Sequence, residues 1–224
     1  MGQQAEIEWR DGGVPVSTRF DDPYFSLENG LAETGHVFLD GNDLPARFRD
    51  GFHIAELGFG TGLNLLAALG LWRDSGQRGT LCYTSFEAFP MAAQDMAAAQ
   101  AAFPELQALT QELAPRWLAD KARFELPDLA FEMIRGDARE TLPAWQGRAD
   151  AWFLDGFSPA KNPEMWEPAL MRAVALHTAP GGTAATYTAA GFVRRGLEEA
   201  GFDVARRAGF GRKRHMTIAR MPAE

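Results

Sequence analysis

The segment Asp150-Ala151-Trp152-Phe153-Leu154-Asp155-Gly156-Phe157-Ser158-Pro159-Ala160-Lys161-Asn162-Pro163 runs an unbroken apolar stretch into a bare carboxylate. A carboxylate carried there by buried residues is costly unless it meets a partner. Asp155 is therefore the candidate catalytic group, with capping of its own loop as the bland alternative. Transfer of a methyl group to an amine needs a neutral nitrogen in line with the methyl. It gains from an acceptor that orients the nitrogen and stabilises the cation that forms. A carboxylate in a partly dry site does both. Gly156 and Pro159 shape a rigid loop around it, and Lys161 and Asn162 lie on the same loop as candidate substrate contacts. Phe157 offers a ring on which an extruded base can stack.

A second group of residues suits a nucleotide-type cofactor. Glu56-Leu57-Gly58-Phe59-Gly60-Thr61-Gly62 follows an apolar stretch and opens an apolar helix. Glycines let a backbone turn tightly and approach a ligand, and a helix start offers unpaired N–H groups to an anion. The spacing is G-x-G-x-G, with Leu63 where the dinucleotide fingerprint requires glycine. That disfavours a pyrophosphate and leaves room for a carboxylate such as that of a methionine moiety. Glu87 ends the next strand at the distance expected of a ribose-binding acid; a solvated strand end is the alternative. Phe89 is read as either an adenine cover or plain core. Asp137, after Gly136, is either an acceptor for an adenine amino group or the N-cap of the next helix.

These groups need elements that bring them to one edge. From His53 onward the chain alternates strand and helix. Expected strands are His53–Leu57, Leu81–Phe86, Phe131–Ile134, Ala151–Leu154, Gly182–Tyr187 and a closing pair, Phe202–Ala208 and His215–Met221. Expected helices are Leu63–Trp72, Met91–Ala102, Leu106–Ala119, Glu167–His177 and Phe192–Ala200. Alternation implies a mostly parallel sheet covered on both faces. The short turn Gly209–Arg214 forces the closing pair to be antiparallel. The reading is an α/β, Rossmann-like class I methyltransferase fold, with seven strands and an antiparallel last strand. Ala5–Phe20 reads as a hairpin around Asp11-Gly12-Gly13, and Leu31–Leu39 as a short helix. Residues 1–50 are expected to form an extension packed on a catalytic domain of residues 51–224.

Composition narrows the class. Nearly half of the 224 residues are apolar (46%), enough for a packed core,. No apolar run approaches the roughly 18 residues that span a bilayer, and Met1–Asp11 has no hydrophobic signal core. Cys82 stands alone, so no internal disulfide forms. These features predict a cytoplasmic protein without membrane contact. His36, His53, His177 and His215 have no metal-ligand spacing, so no metal is expected. The formal charge of −8 argues against nucleic acid,. Against that, Arg194, Arg195, Arg206, Arg207, Arg212, Lys213, Arg214 and Arg220 crowd the C-terminal end, where they form either a phosphate-binding face or an ordinary solvated one. A nicotinamide oxidoreductase is disfavoured by Leu63 and by the closing hairpin. A non-enzymatic scaffold is disfavoured by the intact acids and glycines. The nearest enzymatic rival is a methyl- or aminopropyltransferase acting on a small amine.

The order Asp, aromatic, proline at Asp155, Phe157 and Pro159 resembles the amine-binding loops of amino-methyltransferases. Further motifs, taken together, are similar to a particular family. They are Phe20-Asp21-Asp22-Pro23-Tyr24-Phe25-Ser26, Asn29-Gly30-Leu31-Ala32-Glu33-Thr34 with Val37-Phe38-Leu39, Glu56 through Asn64, Ser85-Phe86-Glu87, and Asp150 through Trp166. The family is the tRNA wobble-uridine aminomethyl methyltransferases, meaning the methyltransferase part of the MnmC type and the stand-alone MnmD. The resemblance runs from about Ser17 to the C-terminus and implies S-adenosylmethionine as cofactor, with no flavin in this chain. It implies methylation of the primary amine of 5-aminomethyl-(2-thio)uridine in the tRNA anticodon. Many members carry a flavin-dependent oxidase domain, for which this chain has no room, so methylation alone is expected unless the chain is part of a longer protein. Cofactor contacts are then expected from Glu56, Gly58, Phe59, Gly60, Gly62, Asn64, Glu87, Asp137 and Asp155. Substrate contacts are expected from Tyr24, Phe25, Phe157, Pro159, Lys161, Asn162, Arg212, Lys213 and Arg214.

Overall fold

The structure is a computed structural model that describes residues 4–10, 13–26 and 29–223. The chain begins with strands β1 (Ile7–Arg10), β2 (Val14–Ser17) and β3 (Asp22–Pro23) and helix α1 (Gly30–Thr34). A π-helical turn, Gly35–Leu39, continues α1. Then follow β4 (His53–Leu57), α2 (Leu63–Asp74), β5 (Leu81–Glu87), α3 (Ala93–Gln100), α4 (Gln107–Leu118), β6 (Arg123–Leu126) and β7 (Leu129–Arg135). The last elements are α5 (Ala138–Ala144), β8 (Ala149–Leu154), α6 (Pro168–Leu176), β9 (Thr178–Thr186), α7 (Gly191–Glu199), β10 (Asp203–Ala208) and β11 (His215–Arg220).

The main sheet has the order β10-β11-β9-β8-β4-β5-β7-β6. Strands β9, β8, β4, β5 and β7 are parallel, and β11 runs antiparallel between β9 and β10. The closing hairpin is as the short turn demands. The sheet has eight strands where seven are expected, because β6 adds an antiparallel edge to β7. Its four residues alternate between exposed and half-buried, a pattern too short to stand out beside the preceding helix. The N-terminal extension also gains a strand: β3 pairs with β2 to make three rather than a hairpin. Asp11 and Gly12 of the expected turn lie outside the described residues.

The helix expected over Leu31–Leu39 divides into α1, whose N-cap Asn29 accepts from Ala32 N at 2.9 Å, and the π-helical turn. Side chains alternate across the central strands. Ile54, Ala151, Phe153 and Ala185 face one core with α2 and the π-helical turn, while Leu57, Trp152, Leu154 and Ala184 face another with α6 and α7. Helix α2 is buried on nearly every side. It packs against α1, the π-helical turn, β5 and α4, which is why its sequence is apolar all round.

The chain leaves β4 toward β5 and β7, then returns to place β8 on the other side of β4. Open α/β sheets bind ligands at such a reversal, at the carboxyl ends of the strands. In register, Leu57 lies beside both Phe86 and Leu154. Gly58, Glu87 and Asp155 therefore leave the sheet at the same edge.

Candidate active site

A cleft of about 1860 Å³ opens at that edge. One wall is the glycine turn. Gly58, Gly60 and Gly62 adopt φ of 85°, 53° and 75°, conformations that favour glycine,. A Cβ on Gly58 would sit 3.3 Å from Gly156 Cα, so the loops after β4 and β8 touch backbone to backbone. A Cβ on Gly60 would sit 3.0 Å from the Tyr24 ring. Gly62 caps α2 without a side-chain partner for the first-turn donors.

Glu87 binds this turn. Its Oε2 accepts from Phe59 N at 2.9 Å and Gly60 N at 3.0 Å, and its Oε1 accepts from Phe89 N at 2.7 Å. The carboxylate thus sets the shape of the glycine loop while facing the cleft. Asp137 takes the N-cap alternative, accepting from Arg139 N at 2.9 Å and pairing with the Arg139 guanidinium. It still lines the cleft.

Asp155 forms part of the floor. Gly156 N donates to its Oδ1 at 2.8 Å, and Asn64 Nδ2 donates to its Oδ2 at 2.8 Å. Both Asn64 amide hydrogens are used: the same Nδ2 donates to Glu56 Oε1 at 2.9 Å, and Asn64 Oδ1 accepts from Thr34 Oγ1 at 2.9 Å,. Glu56 Oε2 accepts from Ser85 Oγ at 2.7 Å. Burial pushes the Glu56 carboxyl up to about 8 and the Asp155 carboxyl up to about 6,. At neutral pH, Glu56 mostly holds its proton and Asp155 is mostly charged.

Glu56, expected as a cofactor contact, does not line the cleft. Its side chain is fully buried beneath the cleft and spends its oxygens on Asn64 and Ser85. Gly62, Pro159 and Arg214 also fall outside the cleft lining. Gly62 faces the Phe59 ring, where a Cβ would come within 3.0 Å, and Arg214 is exposed on the β10–β11 turn.

The adjoining wall is aromatic. Phe157 stacks on Phe20 with centroids 4.7 Å apart and meets the edge of Tyr24 at 5.1 Å. Phe20 touches Phe89 at 6.0 Å. Phe25 lines the cleft while packing on Phe103. The N-terminal extension also holds the Asp155 loop: Ser158 N donates to Asp22 Oδ2 at 2.7 Å, and Lys161 pairs with Asp21 at 2.7 Å. From below, Trp166 Nε1 donates to Phe157 O at 3.0 Å. Asn162, Arg212 and Lys213 line the cleft.

Phe20, Asp22, Glu33, Tyr187 and Phe210 also line the cleft, and none is expected there as a site residue, although Phe20, Asp22 and Glu33 belong to the motifs that carry the resemblance. Tyr187 carries a signal that could have found it, since like Asp155 it directly follows a buried strand. The C-terminal basic residues are distributed over α7, the β10–β11 hairpin and its turn. Arg207 and Arg220 pair with Asp43 at 3.6 and 2.7 Å, and Arg194 and Arg195 lie on α7 away from the cleft lining.

A doubly covered parallel sheet with an inserted antiparallel strand, a glycine turn at its reversal point and acids beyond two strands define a class I methyltransferase. The chain belongs to the S-adenosyl-L-methionine-dependent methyltransferases: that family's model matches residues 104–222, just over half of the chain. It is 47% identical over 225 residues to the tRNA 5-methylaminomethyl-2-thiouridine biosynthesis bifunctional protein MnmC of Stutzerimonas stutzeri, covering 96% of this chain and 34% of that protein. With the same protein of a Caulobacter species it shares 49% identity, covering 96% of this chain and 38% of the relative. The chain thus spans a little over a third of the length of these curated relatives. The crystal structure of MNMC2 from Aquifex aeolicus superposes with a TM-score of 0.78 at 27% identity, covering 99% of this chain and 72% of that one.

The residues present fit S-adenosylmethionine. The glycine turn brings its backbone to the cleft wall at Gly58, Phe59, Gly60 and Thr61, the α2 start offers donors for a carboxylate, and Glu87 and Asp137 add acceptors in the same cleft. No helix among the described residues is long and apolar enough to cross a membrane.

Proposed function

We propose that this chain methylates the primary amine of 5-aminomethyl-(2-thio)uridine at the tRNA wobble position, giving 5-methylaminomethyl-(2-thio)uridine. The observation that carries the reading is the position of Asp155. It stands at the sheet's reversal point, in contact with the glycine turn through Gly156, in a cleft with room for a cofactor and an aromatic-walled base. The relatives named for this modification support the choice of substrate. When bound, S-adenosylmethionine supplies an electrophilic methyl on a sulfonium sulfur.

In this reading Gly58, Phe59 and Gly60 line the place of the methionine moiety, and the start of α2 receives its carboxylate, since Phe59 N and Gly60 N already donate to Glu87. Glu87 receives the ribose and Asp137 the adenine edge. Glu56 and Gly62 act beneath the surface, and Asn64, at the cleft wall, fixes Asp155 from its side. Phe157, backed by Phe20, stacks on the extruded uridine, beside Tyr24 and Phe25. Asn162, Lys161 and Arg212 lie near the RNA strand, with Pro159 and Arg214 further out.

Asp155 accepts one N–H of the amine and directs the lone pair toward the methyl. A carboxylate favours the charged form of a neighbouring amine, so Asp155 orients the neutral fraction rather than creating it. It then stabilises the ammonium that forms, and the proton leaves through the cleft to water. Gly156 N and Asn64 hold the carboxylate still during this step, and positioning is the larger part of such catalysis.

Residues 1–50 are proposed as an extension packed on a catalytic domain of residues 51–224, since Val37, Phe38, Leu39, Leu44 and Phe48 share the core of the main sheet. The work is proposed to take place in the cytoplasm. A flavin-dependent oxidase, as another domain or a separate protein, would supply the free amine. The test is mass spectrometry of nucleosides from hypomodified tRNA incubated with the protein and S-adenosylmethionine. Appearance of 5-methylaminomethyl-(2-thio)uridine supports the reading. Turnover of small amines with none of tRNA would replace it with the small-amine alternative.

A further inference from the structure

We infer that the Glu33 carboxylate and the face of the Tyr187 ring form a subsite for a primary ammonium, filled in the free chain by the protein's own Lys213. The inference deepens the reading above and rests on it for the identity of the incoming amine. Three distant parts of the chain meet here: α1, the end of β9 and the β10–β11 turn. Lys213 Nζ lies 2.7 Å from Glu33 Oε1 and 4.2 Å above the Tyr187 ring centroid. A carboxylate and a π face are the two partners that a dehydrated ammonium accepts most readily.

Host and guest differ in rigidity. The Glu33 side chain is only 14% exposed, whereas that of Lys213 is 47% exposed on a flexible stem. Tyr187 is fixed, because its hydroxyl donates to Gly156 O at 2.8 Å and Trp166 meets its ring edge. That bond attaches the ring to the residue next to Asp155. Glu33 and Lys213 both act electrostatically on the Asp155 carboxyl, so the subsite and the proposed catalytic group share one neighbourhood.

Exchange of the guest is chemically even. A lysine ends in –CH2–NH3+, and so does a 5-aminomethyl group, each protonated at neutral pH. When the substrate ammonium takes this place, Glu33 keeps a counter-ion and no poorly hydrated charge is left unpaired. Lys213 can then turn outward beside Arg212, toward the side where an RNA phosphate would lie. Selectivity for an amine over a hydroxyl follows, since a neutral group cannot replace Lys213 without stranding Glu33.

The test measures binding by calorimetry with S-adenosylhomocysteine present. The probes are 5-aminomethyluridine, its neutral counterpart 5-hydroxymethyluridine, and benzylamine, which has the amine without the base. Lys213→Met removes the internal guest. It is expected to tighten 5-aminomethyluridine and benzylamine roughly 10-fold, the scale of a partly dehydrated cation contact, and to leave 5-hydroxymethyluridine unchanged. Glu33→Gln added to Lys213→Met is expected to abolish the gain. S-adenosylhomocysteine affinity, unchanged in every variant, reports an intact fold. An unchanged or weaker amine affinity in Lys213→Met overturns the subsite, and so does an equal gain for both nucleosides. Methylation of tRNA by the native chain with no amine probe responding sinks the subsite and keeps the activity. Benzylamine responding while 5-aminomethyluridine does not bind keeps the subsite and sinks the substrate.

Discussion

Glu56→Gln isolates the effect of the buried acid beneath the cleft. Burial raises the folded carboxyl from 4.5 to about 8. The folded chain therefore holds a proton that the unfolded chain releases once the pH exceeds 4.5. Stability from this group is full below pH 4.5 and falls as pH rises, until the folded carboxyl ionises near pH 8. Integrated over that window, the loss amounts to at most about 5 kcal/mol, and relaxation around the new charge reduces it to a few kcal/mol. Glutamine keeps the shape: its oxygen can accept from Asn64 Nδ2, and its amide, like the protonated carboxyl, can donate to Ser85 Oγ once that hydroxyl hydrogen turns away. The variant should match the native chain near pH 5 and exceed it in stability at pH 8 to 9. Urea unfolding at half-unit pH intervals measures the difference. Parallel stability curves for the two proteins between pH 5 and 8 would refute the reasoning, since Glu56 would then be ionised in the folded chain or matched by a like change in the unfolded one.

Other outcomes follow from the same geometry. Asp155→Ala should cut turnover by roughly 100-fold or more with S-adenosylhomocysteine affinity nearly intact, and Asp155→Asn, which keeps an acceptor, should retain more. Loss of cofactor binding with full turnover at saturation would make Asp155 a binding residue. In the native enzyme, kcat/KM should rise with pH through about 6 as the Asp155 carboxyl ionises, and Asp155→Asn should lose that limb. Gly60→Val places a branched side chain at positive φ, 3.0 Å from the Tyr24 ring at its first atom, and should abolish cofactor binding in calorimetry. Arg212→Glu with Arg214→Glu should raise the KM for tRNA and flatten its salt dependence; an unchanged KM would leave both as ordinary surface.

The repeat of strands and helices, the antiparallel closing pair and the positions of Gly58, Glu87 and Asp155 were legible in the chain, because each rests on local physics. Alternation of buried residues, the φ freedom of glycine and the cost of a carboxylate after an apolar strand are all visible within a few residues. Strand β6 escaped notice because its short alternation becomes a strand only when β7 pairs with it. Asn64 is expected as a cofactor contact from its place next to the glycine turn, and it does line the cleft. Its real neighbours, Glu56, Asp155 and Thr34, are set by the register of β4 with β8 and by the packing of α1. Glu56 and Glu87 are both expected to contact the cofactor. One is buried and the other faces the cleft, because Glu56 still lies within β4 whereas Glu87 ends β5. The meeting of Glu33, Tyr187 and Lys213 could not be seen in the sequence. No local pattern connects residues that far apart, and only the closing of the sheet by β11 beside β9, with α1 packed on α2, brings a carboxylate, a ring and an ammonium into contact.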